Sequence, residues 1–514
     1  MTNFDFLKDT KFQSFAAVAI VAEKVFHIDF ASSVINCRKA AEFAIKWMYS
    51  VDGDLIMPYQ DNLVTLLNTD EFRKLIGIDL YRRLDFIRKL GNLAVHNNRN
   101  ITKEQAGLCL ENLHVFFSFI AHCYAKQQID IPKFDLKIAS ENTAPVPTPS
   151  QLETVQTLTL LNQSLKTEIA ELRKEREKSF VEIPINPTEA TTRKAYIDVM
   201  LTDGGWIRGK NWIDEYRIEE MPNASGYGFA DYVLLGDNGV PLAVVEAKKT
   251  SVDVAVGRQQ AKLYADWLEK KFKPRPIIFL TNGYDTRIWI DQPNGYPERP
   301  VASIYSKKDL EKEFHKLKHR STLSHLQIND DISGRYYQKE AIISIAEAFE
   351  KRNRRKALLV MATGSGKTRT IISLVDKLME RGWVQNFLFL ADRTSLVTQA
   401  KRAFVNLLPD LSITNLCEND CDSRARGVFS TYQTMINCID TTEDEDGGKL
   451  FSCGHFDLII LDEAHRSIYN KYKDIFSYFD ALQGGLTATP KNEIDKNTYE
   501  TPCASFLTKN PFKL

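Results

Sequence analysis

Residues 356–379 read KALLVMATGSGKTRTIISLVDKLM, and they decide the fold of the C-terminal part of the chain. KALLV is a short apolar strand, MATGSGKT is a Gly-rich turn, and the apolar residues after it recur at three- and four-residue spacing, which predicts a helix. In this order the three elements form a phosphate-binding turn, where backbone N–H groups and a helix N-terminus converge on an anion. On the C-terminal side of this stretch, further apolar strands alternate with helices, which predicts a doubly wound, mainly parallel sheet. The strands are QNFLFLAD, GVFSTY, FDLIILDE and GGLTATP.

The turn and a later pair of acids together predict an ATP site. Lys367 is placed to reach the β and γ phosphates, and Thr368 to hold Mg²⁺. FDLIILDEAH is a buried strand that ends in two acids. Asp462 would bind the Mg²⁺ of the nucleotide through water, and Glu463 would orient and deprotonate the attacking water. The loop residues expected to hold the phosphates are Gly364, Ser365 and Gly366.

Six segments in fixed order resemble the motifs of the first RecA-like lobe of superfamily 2 helicases and translocases: RYYQKEAI, MATGSGKT, FLADRTSLVTQA, VFSTYQTM, LDEAHRS and GLTATP. The resemblance implies that Gln338 reads adenine and that Arg335 or Tyr336 stacks near the base. It also implies a second RecA-like lobe, which would follow the last motif. We therefore expect a fragment or a truncated product, able to bind ATP but a poor ATPase. The resemblance places Arg393, Thr394 and Thr431 along the nucleic-acid track. It also implies that Thr487 and Thr489 couple ATP hydrolysis to motion.

A second candidate site lies at the end of an apolar strand in PLAVVEAKKT, residues 241–250. GDNG, residues 236–239, predicts a hairpin with a two-residue turn. That turn places Asp231 opposite Val244 and diagonal to Glu246, about 7–8 Å away. Two carboxylates at that distance can share a Mg²⁺.

Lys248 lies on the same predicted face as the two acids, since side chains two residues apart share a face. There it can stabilise the developing charge on an attacked phosphate or orient the water. The set Asp231, Glu246 and Lys248 resembles the PD-(D/E)xK nucleases. The alternative is a solvated strand end.

Two further features strengthen the nuclease resemblance. Gln260 and Tyr264 lie one turn apart on the next predicted helix and match the Q-x-x-x-Y element of a subset of these nucleases. Glu189, in the preceding helix, matches an upstream acid that some members use.

The chain divides into four predicted segments. In the first segment, helical periodicity without internal Pro predicts a bundle. ENTAPVPTPS is a stiff linker, and a helical spacer with near-heptad leucines follows it. The rest of the chain shows a mixed α/β pattern. The expected fold is therefore multidomain: an N-terminal α-helical bundle, an α/β nuclease domain and an α/β RecA-like lobe. The predicted boundaries are residues 1–138, 139–180, 181–325 and 326–514.

Composition limits the class only broadly. The net charge is zero, so a nucleic-acid surface must be local. No apolar run reaches the roughly 20 residues that span a bilayer, the start is polar, and eight scattered cysteines suggest a reduced, cytoplasmic protein.

A nuclease followed by a translocase lobe resembles the restriction (R, HsdR) subunit of type I restriction–modification enzymes. The resemblance implies ATP-driven translocation of double-stranded DNA, Mg²⁺-dependent cleavage, and assembly with methyltransferase (M) and specificity (S) subunits. Two alternatives stay open: another superfamily 2 helicase-nuclease of repair or defence, and a docking-only fragment without turnover. In the N-terminal helical segment (the helical head), Arg88 and His96 raise the possibility of an RNase site. The alternative is that this segment docks to partners or to DNA. KRNRRK, residues 351–356, is either a phosphate contact or a solvated loop.

Overall fold

The computed structural model describes residues 2–7, 10–58, 61–96, 101–125, 127, 129–141, 163–180, 190–247, 257–418, 422, 424–441, 449–462 and 472–488. The chain forms two compact units that divide between Val199 and Met200. Each unit is described by itself below.

The N-terminal unit is helical over its described residues. Asp29 begins α2 by accepting hydrogen bonds from two backbone N–H groups, and Thr102 and Gln105 form a capping box at the start of α5. Its helices are α1 (Gln13–Val25), α2 (Phe30–Val51), α3 (Leu63–Asn68), α4 (Asp70–His96, kinked at Gly77), α5 (Lys103–Tyr124), α6 (Leu136–Glu141) and α7 (Gln163–Glu177); α8 (Ala190–Asp203) crosses the division between the units.

The spacer helix α7 packs against α5 and α2. Arg173 is 5% exposed, and its guanidinium lies 3.1 Å from Asp52 and 2.6 Å from Asp54, both at the end of α2. These contacts hold α7 on the bundle. Among the described helices, α5 is long and apolar enough to span a membrane, but 83% of its most apolar window is buried inside the bundle.

The second unit begins with a six-stranded mixed sheet in the order β1-β2-β3-β4-β5-β6. Only β3 and β4 run parallel, and the helix α9 between them packs on both. The elements are β1 (Trp212–Glu219), β2 (Tyr227–Leu235), β3 (Pro241–Ala247), α9 (Arg258–Phe272), β4 (Ile277–Thr281), β5 (Thr286–Trp289), β6 (Arg299–Val301) and α10 (Lys307–His319).

The second sheet of this unit has the order β7-β12-β11-β8-β10-β9, and every pairing is parallel. Its strands are almost continuous apolar runs, since helices cover both faces. The elements are α11 (Asp330–Ser333), α12 (Tyr336–Glu350), β7 (Lys356–Val360), α13 (Lys367–Glu380), β8 (Phe387–Ala391), α14 (Thr394–Leu407), β9 (Ile413–Asn415), β10 (Gly427–Thr431), α15 (Tyr432–Thr441), β11 (Leu458–Leu461), α16 (Lys473–Tyr478) and β12 (Leu482–Thr487).

The predicted class, helical followed by α/β with a parallel sheet, is confirmed. The predicted hairpin register is wrong. Val233 pairs with Val244 and Tyr232 with Val245, and the register shifts between Leu234 and Leu235. The turn is longer than the predicted two residues: the N–H of Gly236 bonds to the carbonyl of Val240. Pro linker residues 142–150, the tail beyond 488 and most of 139–162 lie outside the described residues.

Candidate functional site

The Gly-rich turn leaves β7 and enters α13 as the sequence predicts. Gly364 and Gly366 have φ angles of 78° and 94°, and Gly366 is the residue before the first helical turn. These left-handed conformations suit glycine, which lacks a Cβ. Lys367 and Thr368 open the helix, so their side chains start where helical N–H groups point toward an anion.

A second layer of residues holds this loop from α12. Gln338 is 4% exposed, and its Nε2 donates a hydrogen bond to the carbonyl of Ser365 at 3.1 Å. The hydroxyl of Tyr337 donates to the same carbonyl at 3.0 Å and itself accepts from Arg335 at 2.6 Å. Tyr337 is a residue that the sequence analysis missed, although it stands beside the predicted Gln338. Tyr336, by contrast, is 67% exposed.

The two strands beside the loop carry the next predicted residues. The N–H of Met361 donates to the carbonyl of Thr487 at 3.0 Å, which ties the loop to the end of β12. Asp462 follows β11, and its N–H donates to Leu390 at 2.9 Å. Because β12 separates β7 from β11, the ends of β7 and β11 lie about 10 Å apart. Glu463 and Thr489 lie outside the part of the chain that the structure describes.

The predicted nucleic-acid track falls on loops at the carboxyl ends of the strands. Arg393 and Thr394 are exposed at the start of α14, just after β8. Thr431 ends β10, and its hydroxyl lies 2.9 Å from that of Thr434. All strands of this sheet are parallel, so these residues lie at the same end of the strands as the Gly-rich turn (residues 361–366), called the phosphate loop below.

In the first sheet, the observed register brings the predicted acids nearer than expected. Continued from the Tyr232–Val245 pair, it sets Asp231 directly opposite Glu246 rather than opposite Val244. Directly opposed residues have Cβ atoms about 4.5–5.5 Å apart. The Asp231 carboxylate reaches β3, where it accepts a hydrogen bond from the N–H of Ala247 at 2.6 Å.

The two acids differ in environment. Glu246 is 2% exposed, in the centre of the sheet between β2 and β4, whereas Asp231 is half-buried. A buried carboxylate is stabilised by a cation, and oxygen ligands on neighbouring strands suit Mg²⁺. Within the described ranges, no group of three or more His, Cys, Asp and Glu side chains gathers as a metal site. Lys248 and Glu189, the other predicted members, lie outside those ranges.

The Q-x-x-x-Y pair is joined by a hydrogen bond. Nε2 of Gln260 donates to the hydroxyl of Tyr264 at 2.7 Å, while the Tyr264 ring is 4% exposed and packs in the core between α9 and the sheet. A Cβ placed at Gly228 on β2 would lie 2.8 Å from that hydroxyl. The pair therefore closes on the strand that carries Asp231, three residues further along.

Arg88 of the helical head and two residues of the basic run 351–356 have structural partners. Arg88 is 8% exposed and lies 2.7 Å from Asp85, which favours a packed role over an RNase site, and the His96 side chain lies outside the described set. Of the basic run, Arg355 pairs with Asp480 at 2.5 Å, and Lys351 pairs with Glu347.

Two family models match the chain. The model described as "Type I restriction enzyme R protein N terminus (HSDR_N)" matches residues 186–296, and "Type III restriction enzyme, res subunit" (ResIII) matches residues 331–492. The first covers β1 to β5, with Asp231 and Glu246, and the second covers the Gly-rich turn before α13. A type I restriction enzyme EcoAI endonuclease subunit from Escherichia coli is 34% identical over 299 residues, which are 52% of this chain and 34% of that protein.

This chain is related to the R subunits of type I restriction enzymes. The EcoKI endonuclease subunit of Escherichia coli strain K12 is 26% identical over 334 residues, 51% of this chain and 28% of that subunit. The chain thus covers about a third of the length of these two R subunits. A solved structure of a nuclease-deletion mutant of the Type ISP restriction-modification enzyme LlaGI, in complex with a DNA substrate mimic, is 25% identical to this chain over the matched region. That match covers 31% of this chain and 18% of the other, with a TM-score of 0.23.

Proposed function

We propose that this chain is the N-terminal part of the restriction subunit of a type I restriction–modification system. It combines a Mg²⁺-dependent endonuclease with the first lobe of an ATP-driven motor for double-stranded DNA. The observation that carries the proposal is the pairing of Asp231 with the β3 backbone beside Glu246. The Gly-rich turn before α13, in the same unit of the chain, supports the motor half of the proposal.

We assign the four segments as in the sequence analysis: a helical accessory domain (1–138), a linker and spacer (139–180), the nuclease (181–325) and the motor lobe (326–514). The chain would act in the cytoplasm, in a complex with methyltransferase and specificity subunits that select the DNA sequence. The second motor lobe would complete the ATP cleft.

In the nuclease, Asp231 and Glu246 would hold Mg²⁺, which would supply a Lewis acid for the scissile phosphate. The hydrogen bond that Asp231 accepts from the Ala247 N–H fixes its carboxylate against β3, beside Glu246. Lys248 would stabilise charge on the attacked phosphate. Gln260 and Tyr264 brace β2 from α9, and Glu189 would add a third carboxylate.

In the motor lobe, the loop residues and Lys367 would hold the phosphates of ATP. Thr368 and Asp462 would hold the Mg²⁺ of the nucleotide, and Glu463 would orient the attacking water. Gln338 would contact adenine while it holds the loop through Ser365. Arg393, Thr394 and Thr431 would line the DNA track.

The test is a calorimetric titration of Mn²⁺, without nucleotide, into the wild type, Asp231→Ala and Asp237→Ala. Asp237 is the matched control, because it lies in the turn of the same hairpin, is 78% exposed and pairs with Lys307 at the surface. We expect binding to the wild type and to Asp237→Ala and none to Asp231→Ala. Equal binding to all three would reject the metal site. Repeating the titration with a non-cleavable DNA duplex identifies a site that binds metal only with its substrate.

A further inference from the structure

The junction between the two sheets of the second unit is a cluster of buried charges. Arg299 of β6 contacts Asp480 through two nitrogens: Nε and Nη2 lie 2.8 and 2.7 Å from one carboxylate oxygen. Nε also lies 3.1 Å from the other oxygen. The Tyr305 hydroxyl donates to the same carboxylate, and Arg355 approaches it from the motor side at 2.5 Å. The side chains of Arg299 and Asp480 are 12% and 7% exposed.

A second acid anchors α10. Lys312 and Lys316 lie 3.0 and 2.7 Å from the Asp457 carboxylate, and all three side chains are less than a tenth exposed. The other Asp457 oxygen accepts the N–H groups of Gln385 and Asn386 at 2.8 and 3.0 Å. Burial alone would raise the pKa of Asp457, but the two ammonium groups outweigh it and hold that pKa below its ordinary value. The Asp457 carboxylate therefore stays ionised across the physiological range.

The position of these acids in the motor sheet gives the cluster its significance. Asp457 immediately precedes β11, Asp480 lies just before β12, and Arg355 immediately precedes β7. These three strands are neighbours in the sheet. Their carboxyl ends carry the candidate nucleotide site: Asp462 after β11, Thr487 at the end of β12 and the phosphate loop after β7. From Asp457 to Asp462 is five residues of extended chain, about 16 Å.

We propose that Asp480 and Asp457 are positioning residues that couple nucleotide binding at one end of β7, β12 and β11 to the nuclease-side segment 299–319 at the other end. This inference rests on the proposed nucleotide site and adds a route by which that site regulates the nuclease. β11 and β12 are each hydrogen-bonded to a strand on both sides, and β7 is paired along its length with β12, so we expect the three strands to transmit order from one end to the other. A ligand that orders their carboxyl ends therefore reduces opening of the segment clamped to their amino ends.

Further hydrogen bonds hold α10 within segment 299–319. Ser452 donates to Asp309 of α10, and Lys312 also donates to the carbonyls of Gly454 and His455 at 2.7 and 2.6 Å. These bonds add to the charge pairs and leave α10 attached along most of its length. By contrast, Lys307 at the start of α10 pairs with Asp237 of its own domain, which supplies a control outside the clamp.

The experiment is hydrogen–deuterium exchange of the full chain with and without Mg²⁺ and a slowly hydrolysed ATP analogue, with nucleotide affinity measured in parallel. We expect the ligand to slow exchange in 307–319 at least threefold in the wild type and in Asp237→Asn. In Asp480→Asn, affinity should stay within about twofold of the wild type while the slowing is lost. Asp480→Glu, which keeps the charge, should restore part of it.

The outcomes separate clearly. Nucleotide binding without slowing in the wild type, or full slowing in Asp480→Asn, would overturn the coupling and leave the proposed function intact. Loss of nucleotide affinity in both Asp480→Asn and Asp480→Glu would assign Asp480 a purely structural role and also overturn it. Absence of nucleotide binding to the wild type would reject the proposed motor site, and the coupling with it.

Discussion

Nε2 of Gln338 lies 3.1 Å from the carbonyl oxygen of Ser365 and would lie 2.3 Å from a Cβ added at Gly366. The side chain that the family resemblance assigns to adenine is therefore packed against the phosphate loop itself. One residue can both read the base and set the loop conformation, because its amide has an oxygen and a nitrogen to share between the two tasks.

This contact predicts that Gln338→Ala weakens the binding of all nucleoside triphosphates. A net hydrogen bond of about 1 kcal/mol corresponds to roughly a fivefold change, so the Kd values for ATP and GTP should both rise about threefold to tenfold. The measurement is a titration of fluorescent analogues of ATP and of GTP into the wild type and the variant. Tyr337→Phe, which removes the other donor to the Ser365 carbonyl, should have a similar or smaller effect on both. A loss confined to ATP would mean that Gln338 reads the base without supporting the loop.

The same contact predicts a difference between two glycines of the loop. Gly366→Ala combines a positive φ of 94° with a Cβ at 2.3 Å from Gln338, whereas Gly364→Ala has φ 78° and open space within 4 Å. Backbone strain alone costs about 1–2 kcal/mol, so Gly364→Ala should lose about tenfold in affinity and Gly366→Ala considerably more. The double variant Gly366→Ala/Gln338→Ala should recover part of that loss. Equal losses in both single variants would contradict the packing.

In the mixed sheet, Tyr264 and Gly228 predict a reciprocal pair of substitutions. Gly228→Ala would set a Cβ 2.8 Å from the Tyr264 hydroxyl, and overpacking of this kind costs about 1–3 kcal/mol. Tyr264→Phe removes the hydroxyl and its bond from Gln260, so the double variant should be more stable than the sum of the single effects. Chemical denaturation of the four proteins measures this coupling. Simple additivity would show that the strand moves away without cost.

The phosphate loop and the parallel sheet were predictable because their signals are local. A strand, a Gly-rich turn and a helix follow one another within 356–379, and an all-parallel sheet makes its strands apolar throughout. The hairpin register was not predictable from the GDNG turn. A bulge between Leu234 and Leu235 shifts the pairing, and bulges depend on packing between strands rather than on turn residues.

Two other features also depend on long-range contacts. The spacer helix α7 carries near-heptad leucines, yet its buried Arg173 bonds to Asp52 and Asp54, more than a hundred residues earlier. The sequence gives no clear signal for β1. Three acids in WIDEYRIE interrupt the alternation of apolar residues, although Trp212 and Ile218 are both buried. The ion-pair partners of Arg173 and the strand that pairs with β1 both lie outside a short window of sequence.

Separate sites for metal and nucleotide predict that Lys367→Ala abolishes ATP binding and leaves Mn²⁺ binding at Asp231 and Glu246 unchanged. Lys367 is the first residue of α13, which follows β7 of the parallel sheet, while the two acids lie in the mixed sheet. Calorimetry with each ligand in turn measures both. The reverse variant, Asp231→Ala, should keep its ATP affinity within about twofold of wild type. Loss of both ligands in either variant would indicate one shared site.

Glu23 in the helical head predicts a stability that falls as pH rises. Burial raises its pKa from 4.5 to about 7, against the opposing effect of hydrogen bonds from the backbone and side chain of Asn3. Between these values the folded state keeps a proton that the unfolded chain has released. Stability from this group is therefore complete below pH 4.5 and lost as pH rises through 7, by about 3 kcal/mol at most.

Glu23→Gln is neutral at every pH, so it should remove this slope. Exchange of the α1 amides in the full chain, corrected for the intrinsic pH dependence of exchange, gives the opening free energy at each pH. We expect the wild type to lose protection between pH 5 and 7.5 relative to Glu23→Gln, because only the wild type must then bury a charge beside Asn3. Parallel curves for the two proteins would mean that Asn3 and its neighbours solvate the carboxylate fully, and that the head carries no such pH dependence.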